Sequence, residues 1–221
     1  MIILFNDVIQ YSNAPKELKS PALADYAQVQ SPLTILFTSD VSISSIGIGN
    51  TDGTYFDIEL NDADNTIFNI QFAGNGLYTI PRTIKTSYIT IITDASYIGR
   101  LGAGLGIKIG TAIAKQPGWN SSSTPRSTLS GQVIPGAGGY NYRTLSLDTR
   151  YKLAKEAIDE LIAGYKYIGQ GYPFFIDLTT ESYKLPYKKL YAAEESQLKW
   201  GLEGGIRGFR YSYKFNFKEA F

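Results

Sequence analysis

Alternating apolar segments separated by turn residues run from Leu33 to Tyr97, and they constrain the fold of this chain most. The segments are LTILFTS, VSISSIGIGN, TYFDIEL, TIFNIQF, LYTIP and YITIIT. The stretches NTDG, NDADN and AGNG between them are rich in Gly, Asn and Asp, which tolerate the positive φ values of tight turns. Strands at this spacing predict a β-sandwich or jelly roll, with helix as the minor state.

A second β-rich region follows. RTLSLDTRY, YPFFIDL, KLYAA and SQLKWGLE have the composition of strands, whereas KQPGWNSSSTPRSTLSG has that of a loop. The terminal FRYSYKFNF alternates, so its aromatic residues share one face that we expect to be buried. An apolar stripe at helical spacing (Ile158, Leu161, Ile162 and Tyr165) predicts one amphipathic helix at about 153–168, packed on a mainly antiparallel sheet.

These patterns divide the chain into three parts. Residues 1–29 form an N-terminal arm that we expect to pack with the second domain. It begins with a strand-like run from Ile2 to Phe5, and Ser20 before Pro21 has the composition of a helix N-cap. Residues 30–112 form the β-sandwich, and residues 113–221 form the second β domain with its helix.

Missing residue types exclude much chemistry. The 221 residues include no His and no Cys, which rules out a Ser-His-Asp triad, a Cys nucleophile, imidazole or thiolate zinc sites and disulfides. GAGLGIKIG does not match G-x-G-x-x-G and continues as a strand, so no phosphate loop is expected. NDADN offers oxygen ligands for Ca²⁺ but lacks the EF-hand pattern, and a solvated hairpin turn is the favoured interpretation.

The positions of the acidic residues in this chain also do not favour a catalytic site. A glycosidase needs paired carboxylates in a cleft, but Glu194 and Glu195 are adjacent and would point to opposite faces of a strand. Asp177, which ends an apolar run, is interpreted as a strand-end residue with a hydrogen-bonding or ion-pairing role. We therefore expect no enzyme, no cofactor and no metal site.

Charge is distributed unevenly along the chain. Residues 1–94 hold 4 Lys/Arg against 10 Asp/Glu, a net −6, and residues 95–221 hold 17 against 10, a net +7. The two parts should attract each other within one chain or between copies. Because Glu residues are interleaved with the basic ones, a nucleic-acid partner is not expected. No apolar run approaches the ~18 residues of a membrane helix, so membrane insertion is not expected either.

The order of these sequence segments along the chain resembles that of a known group of proteins. SIGIGNTDGTYFDIEL and YITIITDASYIGRLGAG are similar to the core and closing strands of galactose-binding-like (discoidin-like) β-sandwiches. SGQVIPGAGGYNYRTLSLDTRYK, the helix, GYPFFIDL and FRYSYKFNF are similar to a tail-tip β domain. Together the chain resembles tailed-bacteriophage virion proteins that join the two, over most of residues 33–221.

The resemblance implies a structural subunit of the phage tail tip or baseplate. Such a protein would be made in the host cytoplasm, reside in the virion tail, contact other tail proteins and form a homo-oligomeric ring. The alternative is a carbohydrate-binding adhesin that attaches the particle to a host-surface glycan.

Two groups of residues are candidates for these roles. Asn50, Asp52 and Tyr55 lie at a turn of the sandwich, where galactose-binding-like folds hold sugars by ring stacking and polar contacts; a purely structural turn is the favoured alternative. Glycines and aromatic residues near the domain join would serve close packing and anchoring at an assembly interface, while a β-bulge feeding a core strand explains them equally well. The interface candidates are Trp119, Gly138, Gly139, Tyr140 and Tyr142.

Overall fold

The structure is a computed structural model of the whole chain. It describes residues 2–4, 7–22, 25–61, 67–72, 74–108, 114–121, 126–127, 133–134, 141–149, 159, 163, 173–178, 189–194, 199–205 and 208–219.

The first half of the chain contains eight strands and one short α-helix. They are β1 (Ile2–Leu4), α1 (Lys16–Lys19), β2 (Ala27–Gln28), β3 (Leu33–Thr51), β4 (Phe56–Asn61), β5 (Ile67–Phe72), β6 (Gly76–Thr93), β7 (Tyr97–Gly104) and β8 (Gly106–Lys108). A single 3₁₀ turn spans Val8–Tyr11. These counts refer to the described residues.

The second half of the chain adds eight strands within its described residues. They are β9 (Ala114–Ser121), β10 (Arg126–Ser127), β11 (Val133–Ile134), β12 (Asn141–Thr149), β13 (Phe174–Asp177), β14 (Lys189–Glu194), β15 (Lys199–Gly205) and β16 (Gly208–Glu219). The short β10 and β11 pair only with each other. The prediction of a mainly β protein is confirmed.

One antiparallel sheet has the order β2-β7-β3-β6-β4-β5. Its two longest strands, β3 and β6, each join two segments that the sequence pattern treats as separate strands. Their register shifts between Leu36 and Val41 and again between Ile43 and Ser45. Such irregularities bend a strand and increase its twist, so one long strand continues where two short ones are expected.

The main hydrophobic core lies on one face of this sheet. In β4 the buried residues Phe56, Ile58 and Leu60 alternate with half-buried Asp57 and Glu59. The same core cluster contains residues of β2, β3, β5, β6 and β7, together with the buried Ile9, Ala14 and Leu18 of the N-terminal segment. One apolar face is thus shared by all six strands and is partly covered by the chain that precedes them.

The larger sheet has the order β8-β1-β13-β14-β16-β12-β9, and β15 also pairs with β16. Every pairing in it is antiparallel. The predicted terminal strand is confirmed as β16, in which Phe217 is buried between half-buried Asn216 and Lys218. The other aromatic side chains predicted to share its buried face lie outside the described side chains.

The N-terminal segment contributes to both sheets. β1 pairs with β13 and β8 in the larger sheet, whereas β2 pairs with β7 in the six-stranded sheet. The helix expected after Ser20 is wrong, because Ser20 instead ends α1, which begins after Pro15. Pro21 explains this ending, since the residue before a proline is disfavoured in helical conformation and Ser20 is extended.

Two further expectations concern the second half of the chain. The loop predicted from KQPGWNSSSTPRSTLSG is wrong in its first part, because β9 includes Pro117. A proline is tolerated there because, among the described strands, β9 pairs only with β12 and lies at the end of the sheet. Of the predicted helix at about 153–168, only Asp159 and Ala163 are described, and both are helical and exposed.

The two large sheets contact each other where an aromatic side chain packs against glycine residues. Phe175 of β13 is buried and packs with Ile2, Leu4 and Leu77 in a second core cluster. A Cβ atom built on Gly47 of β3 would lie 2.3 Å from Cδ2 of Phe175. A Cβ on Gly102 of β7 would lie 3.1 Å from Cε2 of the same ring. The ring therefore occupies the space that any larger residue at these two positions would need.

Candidate functional site

Asp52, a predicted sugar-binding residue, follows β3 at one end of the six-stranded sheet and is exposed. Its Oδ1 accepts hydrogen bonds from the backbone N–H groups of Ser96 at 3.0 Å and Tyr97 at 3.2 Å. Its Oδ2 accepts a hydrogen bond from the Ser96 hydroxyl. The carboxylate therefore fixes the turn between β6 and β7, more than 40 residues further along the chain.

Asp94 makes the reciprocal contact from that turn. Its Oδ1 accepts hydrogen bonds from the backbone N–H groups of Thr54 and Tyr55, both at 2.9 Å. Its Oδ2 accepts one from the Thr54 hydroxyl at 2.7 Å. We call Asp52, Thr54, Tyr55, Asp94 and Ser96 the carboxylate clamp, because each of the two loops holds the backbone of the other.

Hydrogen bonding to the clamp carboxylates favours their ionised form. The Ser96 hydroxyl, followed by backbone N–H groups, holds the pKa of Asp52 below its ordinary value. The Thr54 hydroxyl and the Tyr55 N–H do the same for the pKa of Asp94. Hydrogen bonds donated to a carboxylate stabilise its charged form, which explains why both pKa values are lowered. Neither group has the raised pKa that a general acid needs.

Tyr55 presents its ring at the same end of the sheet and is 39% exposed. Its hydroxyl donates to Oδ2 of Asp57 at 3.3 Å and lies 3.5 Å from Nε2 of Gln71. Burial and the neighbouring Asp57 carboxylate raise the pKa of the Tyr55 hydroxyl. Asn50 is half-buried in β3 and has a φ of 48°, a left-handed conformation that Asn tolerates. The three predicted sugar-binding residues thus lie within one turn region.

A buried ion pair ties the N-terminal segment to β7. The Arg100 side chain is 3% exposed, its Nη2 pairs with Oδ2 of Asp7, and its Nη1 donates to the carbonyl oxygens of Leu18 and Ser20. Burial raises the pKa of Asp7, while the Arg100 guanidinium and the N–H groups of Ala103 and Ile9 act in the opposite direction. This pair anchors the segment that covers the main core.

The assembly candidates fall mostly outside the described residues, as Gly138, Gly139 and Tyr140 do. Trp119 lies in β9 and Tyr142 in β12, where Tyr142 pairs with Asn120 and Arg143 pairs with Trp119. The two aromatic residues therefore occupy neighbouring register positions on adjacent strands. For these two residues the structure describes the strand positions and not the side chains.

The described residues include some of the other candidates for catalysis or metal binding. Asp177 is the buried last residue of β13, opposite Ile2 and Lys189 in the strand register. Of the acidic turn NDADN, only Asn61 is described. Within the described ranges, no three acidic side chains cluster in a way that would hold a metal ion. The helices of the described residues include none long and apolar enough to cross a membrane.

Sequence reasoning missed Asp94, Asp7, Arg100 and Phe175. A weak signal for Asp94 exists, since TDAS after an apolar strand is typical of an aspartate that binds backbone N–H groups of a turn. Asp7 and Arg100 are 93 residues apart, so no local pattern could pair them.

Comparison of the chain with protein-family models, curated proteins and solved structures gave no significant match. The geometry of the described residues therefore carries the functional argument.

Proposed function

We propose that this chain is a structural subunit that works through protein–protein contacts, at the tail tip or baseplate of a tailed bacteriophage. The observation that favours a structural over a catalytic role is the carboxylate clamp, while the placement in a phage tail rests on the resemblance of the sequence segments. Perturbed carboxylates often mark catalytic sites. Here Asp52 and Asp94 are both engaged by backbone N–H groups and hydroxyls of the opposite loop, which is a stabilising role.

The fold of residues 30–112 supports the same proposal. We assign this region to a galactose-binding-like sandwich and residues 113–221 to a tail-type domain, from the order of the segments that resemble them. The supporting architecture is the six-stranded antiparallel sheet with its main hydrophobic core, of which all strands except β2 lie in residues 30–112. Antiparallel β domains suit a spacer or ring subunit because their stability comes from the core, leaving the rim available for neighbours.

Virion composition is the direct test. We expect the chain in purified particles of a phage whose genome encodes it, in a fixed multiple per tail, among other tail proteins. Quantitative mass spectrometry, with the major capsid protein as internal standard, measures that multiple. Absence of the chain from tail fractions that contain the other baseplate proteins would refute the proposal.

An adhesin is the second candidate, and the exposed ring of Tyr55 favours it. A sugar ring can stack on an aromatic face while Asp and Gln side chains bind its hydroxyls. Tyr55 has Asp57 and Gln71 at its hydroxyl. Binding on a glycan array that is lost in Tyr55→Ala and kept in Tyr11→Ala, another exposed tyrosine, would support this function.

A further inference from the structure

The ends of the two large sheets differ in how they are protected. Among the described residues, β2 and β5 end the six-stranded sheet, β8 and β9 end the larger one, and β15 has a free edge because it pairs only with β16. A strand at the end of a sheet presents unpaired N–H and C=O groups, which form a template for another strand. Natural proteins protect such edges by short length, charge, proline or bulges.

Four of these edges carry such protection. β2 has two residues and β8 has three. β9 and β15 are longer, but β9 contains Lys115 and Pro117, and β15 contains Lys199 and Glu203. The fifth edge, β5, is six residues long and has the sequence IFNIQF, with no charge and no proline. Its register with β4 runs without a shift from Asn61↔Ile67 to Phe56↔Phe72. β5 is therefore regular and unprotected by any of these devices.

We propose that β5 is a self-association edge, on which β5 of a second copy pairs antiparallel about a two-fold axis. Opposite residues of an antiparallel pair lie on the same face of the sheet. The exposed Asn69 and Gln71 of one copy would continue the polar face of the other. Half-buried Ile70 and buried Phe72 would continue the core face.

Charge favours a copy of the same strand as the occupant. A two-fold contact places each side chain near its own equivalent, so a lysine at its centre would meet a lysine. β5 carries no charge, whereas β8, β9 and β15 each contain a lysine. β5 thus avoids this penalty.

The inference rests on the proposed function, in which copies of the chain assemble into a ring, and it names an additional contact. Because this contact is isologous, it joins copies in pairs through β5, and closing a ring would need a separate, heterologous contact.

Single-cysteine cross-linking tests the contact, because the chain contains no cysteine of its own. Opposite Cα atoms in an antiparallel pair lie about 4.5–5.5 Å apart, within the range of a disulfide. We expect one of Asn69→Cys, Ile70→Cys and Gln71→Cys to give an oxidised dimer of the full chain. Thr90→Cys is the control, because β6 is flanked there by β3 and β4.

Charge variants give an independent measurement. Asn69→Lys places a lysine opposite Glu59 of its own chain, and Thr90→Lys does the same from the interior of the sheet. We expect Asn69→Lys alone to weaken self-association in sedimentation by about tenfold or more at low salt, with recovery near 1 M.

Two results would overturn the inference. Self-association that is equal in both lysine variants, with no cross-link at any β5 position, would place the interface elsewhere and leave the proposed assembly intact. A wild-type chain that stays monomeric at every concentration would refute both the β5 contact and the proposed self-assembly.

Discussion

The close packing of the Phe175 ring against Gly47 provides a direct test of how the two sheets are joined. A Cβ at position 47 would lie 2.3, 2.5 and 2.7 Å from Cδ2, Cγ and Cε2 of the ring. Carbon atoms in contact are about 3.5–4.0 Å apart, so the ring would have to move by about 1 Å or more. Gly47→Ala should therefore act as overpacking and cost about 1–3 kcal/mol.

Removing the ring should reverse the effect of the added methyl group. Phe175 is 3% exposed, and Phe175→Ala alone should cost about 3–5 kcal/mol. In that background the methyl group that Gly47→Ala adds would enter the vacated space. Replacing a strand glycine by alanine also gains about 0.5–1 kcal/mol. The double variant should then be about 0.5–1 kcal/mol more stable than Phe175→Ala, which corresponds to a coupling energy of about 1.5–4 kcal/mol.

Urea unfolding followed by fluorescence measures all four proteins of this cycle. Phe175→Leu replaces Phe175→Ala if the latter does not fold. Gly53→Ala is the matched control, because its Cβ would lie 2.6 Å from Cβ of Ala95 and 2.9 Å from Cζ of Phe56, in the main core instead. It should add to Phe175→Ala within about 0.5 kcal/mol. If the effects of Gly47→Ala and Phe175→Ala on the free energy of unfolding were also additive, the proposed packing of Phe175 against Gly47 would be refuted.

Three further predictions follow from the described contacts. Because the pKa values of Asp52 and Asp94 are lowered in the folded protein, both carboxylates stabilise the fold above the ordinary carboxyl pKa, and this stabilisation is lost as pH falls through the folded pKa. In Asp94→Asn, the urea midpoint should therefore decrease less steeply as pH is lowered than it does in the wild type. Arg100→Met should cost about 3–5 kcal/mol, since it leaves Asp7 buried without its cation, whereas Asp7→Asn with Arg100→Met should recover part of that loss in thermal melts. Phe217→Ala should cost about 3–5 kcal/mol by urea unfolding, because the ring is buried and packs edge-on against Phe174; a loss below about 1 kcal/mol would contradict the buried face of β16.

Much of the strand content was predictable because alternation depends only on local sequence. The apolar positions of β4 alternate in the sequence as they do in the structure. The continuity of β6 was not predictable, since Pro81 divides its two halves in the sequence. Pro81 lies between Thr79↔Ser45 and Ile84↔Ile43, where the register with β3 shifts, and a proline is tolerated at such a point.

The candidate turn shows a different limit. Residue type and turn composition singled out Asp52, but its role depends on Ser96, 44 residues away. Local sequence reports which residues can accept hydrogen bonds, whereas the topology decides which donors reach them. The reciprocal placement of Asp94 follows from β4 pairing with the end of β6, where Phe56 lies opposite Thr93.

The glycines of β7 and β8 illustrate why a motif needs its structural context. In the sequence, GAGLGIKIG invites comparison with phosphate-binding loops. In the structure, Gly102 faces Phe175 and Leu4, and a Cβ on Gly106 would lie 2.2 Å from Oγ of Ser45. A phosphate loop uses glycine so that backbone N–H groups can approach an anion. Here the missing Cβ of Gly102 leaves room for side chains of the larger sheet, and that of Gly106 leaves room for Ser45 of the six-stranded sheet, so the same composition serves packing between two β-sheets.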